Sequence, residues 1–174
     1  MTRIIRTHTL PKTFFPIKGI SAYIALWSFL LCLLPSFACA VEELNYKPTT
    51  ATIGASLKLQ LDYLLKEKFN TESSDYLIAD TDLNADNQPE YILKNKNCGQ
   101  QAEQCPHLII ADMDNDLALL SEIKAKHLMI GNGKNYGISN ILAFKNHINA
   151  YDFDIYMWSP QQKMYILEES KKRD

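Results

Sequence analysis

YLIADTDLNADNQPEYIL, residues 76–93, holds two apolar runs on either side of a turn rich in Asp and Asn. Tyr76-Leu77-Ile78-Ala79 and Tyr91-Ile92-Leu93 carry aromatic and branched side chains and are too short for helices. Asp80 to Glu90, between them, is built of residues that favour turns. The stretch predicts two strands joined by one loop.

The same reading extends toward the C-terminus. Leu108-Ile109-Ile110-Ala111, His127-Leu128-Met129-Ile130, Ile138 to Phe144, Tyr151 to Trp158 and Met164-Tyr165-Ile166-Leu167 each read as a strand. Asp112 to Asp116, Gly131 to Gly137, Asn146 to Asn149 and Ser159 to Gln162 separate them with hairpin-turn residues. On the N-terminal side the period changes. Leu57, Leu61, Leu64, Leu65 and Phe69 fall on one face of a helix over 56–69, with Lys58, Asp62, Lys66 and Glu67 opposite. These patterns predict an α+β fold, an N-terminal amphipathic helix packed on an antiparallel β-meander of six or seven strands.

The first 40 residues have a different character. Arg3, Arg6, Lys12 and Lys18 precede a run from Ile20 to Leu34 that is apolar except for Ser21 and Ser28, and no acid occurs before Glu42. Pro35 ends any helix, and Ala38-Cys39-Ala40 fits a small-x-small cleavage site. Residues 1–40 therefore read as a signal peptide cut before Val41. The run is short for an uncleaved membrane span, and Ser36 stands where a lipid-attachment site at Cys39 needs an aliphatic residue. The expected mature part, 41–174, is one globular domain with a loose polar arm over 41–52 and a solvated tail over 168–174.

Removing 1–40 leaves 14 bases against 20 acids, a balance of −6. A domain so charged repels nucleic acid and anionic lipid, so neither is expected as a partner. The expected location is periplasmic or secreted. Cys98 and Cys105 are the two cysteines left, and an even pair in an exported chain is most simply a disulfide. A structural metal would need more ligands near them.

The loop offers the most specific chemistry. Asp82, Asn84 and Asp86 alternate, so a tight turn brings their side chains inward; Gln88 adds a backbone carbonyl and Glu90 closes from the next strand. Oxygen ligands of this kind suit calcium. The pattern D-x-N-x-D-x-x-P-E resembles the calcium loop of FG-GAP or VCBS repeats, usually D-x-N-x-D-G-x-x-D. It is also similar to small exported bacterial proteins of unknown function that carry one such loop between two strands, followed by a short Cys-to-Cys segment. Cys98 and Cys105 stand where that segment would be, and Tyr151 to Tyr165 resembles the closing strands. The resemblance implies bound calcium. Asn87 departs from the usual Gly and Glu90 from the usual Asp; Asn tolerates the left-handed backbone that Gly would supply. The alternative is an Asp/Asn-rich turn that caps itself without an ion.

Other groups point less clearly to chemistry. Asp112, Asp114 and Asp116 repeat the alternation, but Leu120 stands where a last ligand is needed. Gly131 to Gly137 lacks the spacing and the Ser or Thr of a phosphate loop. His107, His127 and His147 are twenty residues apart and share no element. In Tyr151 to Trp158, alternation places Tyr151, Phe153, Ile155 and Met157 on the core side. Asp152, Asp154, Tyr156 and Trp158 then form an opposite face suited to binding a partner.

With no nucleophile motif present, the sequence reads as an exported, non-enzymatic binding or accessory domain stabilised by calcium, its partner a protein or glycan of the cell envelope. The alternatives are an envelope hydrolase and an inhibitor of a secreted enzyme.

Overall fold

Helix α2, Ala55–Phe69, forms where the 3.6-residue period predicts it. In the computed structural model, which describes residues 41–98, 104–113, 116–146 and 152–171, all described residues belong to one compact unit, Cys39–Asp174. Asn70 ends the helix in the left-handed conformation, its N–H reaching back to the Lys66 carbonyl while that of Thr71 reaches Leu65. Leu61, Leu64 and Leu65 are buried and Phe69 packs beside them. Lys58 and Asp62 pair one turn apart on the helix, and Asp62 also accepts the Ser73 N–H at 2.7 Å, tying the helix to the short 3₁₀ turn Ser73–Asp75.

The strands are β1 (Glu42–Glu43), β2 (Lys47–Pro48), β3 (Tyr76–Thr81), β4 (Glu90–Asn95), β5 (Cys105–Met113), β6 (Asp116–Ala125), β7 (His127–Asn135), β8 (Ile138–Phe144), β9 (Phe153–Ser159) and β10 (Met164–Lys171). A one-turn helix α1, Thr49–Thr52, follows β2. The expected α+β meander of six or seven strands is corrected here. The fold is mostly β, with 55% of the described residues in strands, arranged as two antiparallel five-stranded sheets. One sheet runs β2-β3-β4-β5-β6 and the other β1-β7-β8-β9-β10.

The division falls at Lys126. A single residue separates β6 from β7, and each then pairs within its own sheet. The Lys126 N–H donates to the Phe144 carbonyl at 2.8 Å, which seats the crossing. Ala79, Ile92, Ile109 and Ile123 of the first sheet face Leu128, Ile130, Ile141 and Ala143 of the second, forming the main core. The other face of the first sheet, carrying Ile78, Leu93, Leu108 and Ile110, is covered by α2. That sheet is buried on both sides, which explains why its strands are continuous apolar runs rather than alternating ones.

Three further expectations change. Residues 41–52 are not a loose arm: Glu42 and Glu43 pair with Ile130 and Met129, Lys47 and Pro48 pair with Ile78 and Leu77, and Leu44 sits in the core between the sheets. Thr49 is buried, and its hydroxyl lies 2.9 Å from the Ser73 carbonyl and 2.7 Å from that of Tyr76. The solvated tail shrinks, since β10 continues to Lys171. The tight turn expected over 131–137 is confined to Tyr136 and Gly137, both at positive φ (51° and 82°), as a two-residue hairpin requires.

Cys98 and Cys105 are joined, their Cα atoms 5.6 Å apart, linking the end of β4 to the start of β5. Among the described residues no helix is long and apolar enough to cross a membrane. The expected signal peptide, His147, Tyr151 and the end of the tail lie outside the described residues.

Candidate functional site

The β3–β4 loop folds around its own carboxylates. Asp82 accepts the N–H of Asp86 at 3.2 Å and of Asn87 at 3.0 Å. The Asn84 side-chain Oδ1 accepts the Asp86 N–H at 2.9 Å, and the Asp86 carboxylate accepts the Gln88 N–H at 2.7 Å. Asn84 also donates its side-chain N–H to Asp86 at 2.8 Å. Such a winding needs left-handed residues, and Ala85 (φ 62°) and Asn87 (φ 67°) take that conformation. Asn87 thus holds the backbone conformation that glycine would make easy.

Glu90 turns away from this winding. Its carboxylate accepts the Leu83 N–H at 2.7 Å and is only 6% exposed. Burial, reinforced by the negative charges of Asp86 and Asp82, pushes its carboxyl group above the usual range, while the Leu83 N–H acts against the rise. The Leu83 carbonyl in turn accepts the Ser139 N–H at 2.7 Å, so the loop is fastened to the second sheet. Four of the five expected ligands therefore share one turn: Asp82, Asn84, Asp86 and Gln88. Glu90, the fifth, does not join them: its carboxylate is turned to the Leu83 N–H. Among the described residues, no three acidic, His or Cys side chains meet in a metal-holding group.

Glu90 borders a cavity of about 460 Å³ at the end of the sandwich where this loop lies. Leu83, Ala111 and Leu120 from the first sheet and its loop form one wall, and Ile138, Trp158 and Tyr165 from the second form the other. The rings of Trp158 and Tyr165 meet edge to face, 5.7 Å between centroids. Tyr165 donates its hydroxyl to the Ser139 carbonyl at 3.1 Å, and burial raises its pKa well above the phenol range. The charged side chains lining the cavity are Asp86, Glu90 and Asp112, all acidic. Its volume and apolar walls are those of a small-ligand site.

The predicted partner face of β9 is reversed in part. Tyr156 and Trp158 pack against the core between the sheets. Asp154 is 7% exposed and ion-paired with Lys145 at 3.1 Å. One carboxylate oxygen of Asp152 is buried. These four residues make no exposed patch, and of them only Trp158 lines the cavity. The outward side belongs to Phe153, Ile155 and Met157, which are half-buried. Alternation marks two faces on a strand but does not say which one faces a second sheet.

Reasoning from sequence missed Leu83, Ala111, Met113, Ile138 and Tyr165 as cavity residues, because the pairing that sets Tyr165 beside Trp158 is a matter of register. Asp112, read as part of a turn, reaches the rim. The histidines do not gather: His107 is fully buried, its Nδ1 2.9 Å from the Cys105 carbonyl, and His127 is half-buried.

Compared with protein-family models, curated proteins and solved structures, the chain matches none.

Proposed function

We propose that this chain is an exported, non-enzymatic binding domain that takes part of its partner, a component of the cell envelope, into the cavity between the two sheets. The observation that carries the proposal is the cavity itself: about 460 Å³, walled by Trp158, Tyr165, Leu83 and Ile138, with a few polar groups at the rim. A pocket of that size with a mostly apolar lining and convergent polar groups is what ligand sites share. The Cys98–Cys105 disulfide and the basic, then apolar, leader with Ala38-Cys39-Ala40 support export.

Calcium is part of the proposal as a brace. Asp82, Asn84 and Asp86 carry oxygens on one turn beside the rim, and these are the hard ligands calcium takes. They would hold the ion, with the Gln88 backbone carbonyl beside them, and the ion would offset repulsion among the carboxylates. Its role is to stiffen the loop that forms one lip of the cavity.

A photo-crosslinking residue placed at Met113, on the rim and 40% exposed, tests the reading against the same residue at Tyr63, which is 73% exposed on α2 and contributes nothing to the lining. In the native host, a discrete adduct from position 113 and none from position 63 is the expected result. Equal labelling from both positions, or none from 113, would remove the cavity as the binding site.

A further inference from the structure

We infer that the group seated in the cavity is a cationic nitrogen carried on an apolar body, an ammonium on an aryl or alkyl stem. This rests on the cavity being the binding site and adds the chemistry of what it takes. Two features of the lining point the same way. Its charged side chains are Asp86, Glu90 and Asp112, and among the described residues that line it there is no Lys, Arg or His. Glu90 is only 6% exposed, and its carboxylate accepts the Leu83 N–H. A buried carboxylate gains most from a cation brought to it, because the surroundings screen the attraction less than water does. The same lining repels a carboxylate or phosphate ligand.

The walls supply the second feature. Trp158 and Tyr165 present an aromatic corner beside the acids, and Leu83, Ile138 and Leu120 complete an apolar floor. An ammonium set over an aromatic face is attracted by the ring's quadrupole, and its stem finds apolar contact. A sugar, rich in hydroxyls and without charge, would leave the apolar floor poorly used. The shared chemistry can come from a free amine or from a lysine side chain on a protein partner.

A matched series of probes tests this, with the full-length chain in EDTA so that no divalent cation competes for the acids. The probes are 2-phenylethylammonium, 2-phenylethanol and 3-phenylpropanoate, with Nα-acetyl-lysine methylamide as the side-chain mimic. Binding is followed by calorimetry and by proton NMR saturation transfer. One ammonium probe or both should bind at least tenfold more tightly than the alcohol, with the propanoate weaker still; the tighter ammonium assigns the source. Asp112→Asn and Glu90→Gln should each bring ammonium binding toward that of the alcohol, narrowing the ratio between the two. Asp112 lies exposed on the rim, so its variant keeps the test valid if Glu90→Gln unfolds. Alcohol or propanoate binding as tight as ammonium would overturn the cation preference while leaving the cavity as a site. Failure of all four probes would also overturn it, and the crosslink at Met113 would then decide the binding reading separately.

Discussion

Ser121 closes the sandwich on Tyr165: its hydroxyl accepts the Tyr165 N–H at 2.8 Å and lies 3.1 Å from the Tyr165 carbonyl, across 44 residues of chain. A bulge makes this contact possible. Ile110 pairs with Leu119 and Ile109 with Ser121, so Leu120 is the extra residue, and the local twist re-aims Ser121 toward the edge strand of the other sheet. Ser121→Ala leaves two buried backbone groups without that partner. The expected loss is about 1–3 kcal/mol of unfolding free energy in urea titration. A loss under about 0.3 kcal/mol would mean that the two edges are held by packing alone.

His107 makes stability depend on pH. It is fully buried; burial, with help from the nearby Lys94 and His127 charges, holds its pKa down to about 4, against 6.5 when free, and the Cys105 carbonyl only partly offsets this. The native state keeps His107 neutral while the unfolded state takes up a proton below pH 6.5. Its contribution is therefore complete above pH 6.5 and is lost as pH falls toward 4, roughly 3 kcal/mol in all. His107→Gln should flatten the stability profile between those values. An unchanged slope in the variant would assign the acid sensitivity to other groups.

Leu61 is 2% exposed at the centre of the contact between α2 and the first sheet. Leu61→Ala should cost about 2–5 kcal/mol, the range for truncating a buried leucine. Leu59, 72% exposed on the same helix, serves as control, and Leu59→Ala should change stability by less than about 0.5 kcal/mol. Similar losses at both positions would show that the helix is rotated.

The calcium brace predicts a modest, specific thermal response. Millimolar calcium should raise the melting temperature by a few degrees over EDTA, with magnesium doing less because it needs a smaller octahedral shell. Asp82→Ala combined with Asp86→Ala should abolish the response. The same shift in parent and double variant would leave the loop as a self-capped turn.

Seven strands and the helix were legible because their periodicity and turn residues are local. The fold class was not, and two places explain why. Asp116–Ala125 forms β6, yet Ile123 is its single β-branched residue, the other apolar positions being Leu and Ala, and the bulge at Leu120 breaks its alternation. The change of sheet occurs at Ala125-Lys126-His127, where no Gly or Pro marks a break. Without that bend, one continuous meander is the simplest reading. The Asp82–Glu90 loop was legible as a turn, since its side chains bind backbone N–H groups within a few residues. The cavity beside it was invisible because it joins Leu83 to Trp158 and Tyr165, and only the pairing of distant strands brings those together.

The strap formed by β1 and β2 sets an order on assembly. Glu42 pairs with Ile130, 88 residues later, while Lys47 pairs with Ile78. Were the chain threaded across a membrane N-terminus first, as the proposed export would have it, this strap would emerge first and its outer half would have nowhere to dock until β7 arrived. The earliest residues to emerge would then be among the last to be secured, since such distant pairings are slow to form. During that interval Leu44, which packs in the core, would be open to holding factors and to proteases. A processing cut only three or four residues beyond Ala40 would produce a mature chain with no β1 at all and with Met129 and Ile130 lacking their edge partner.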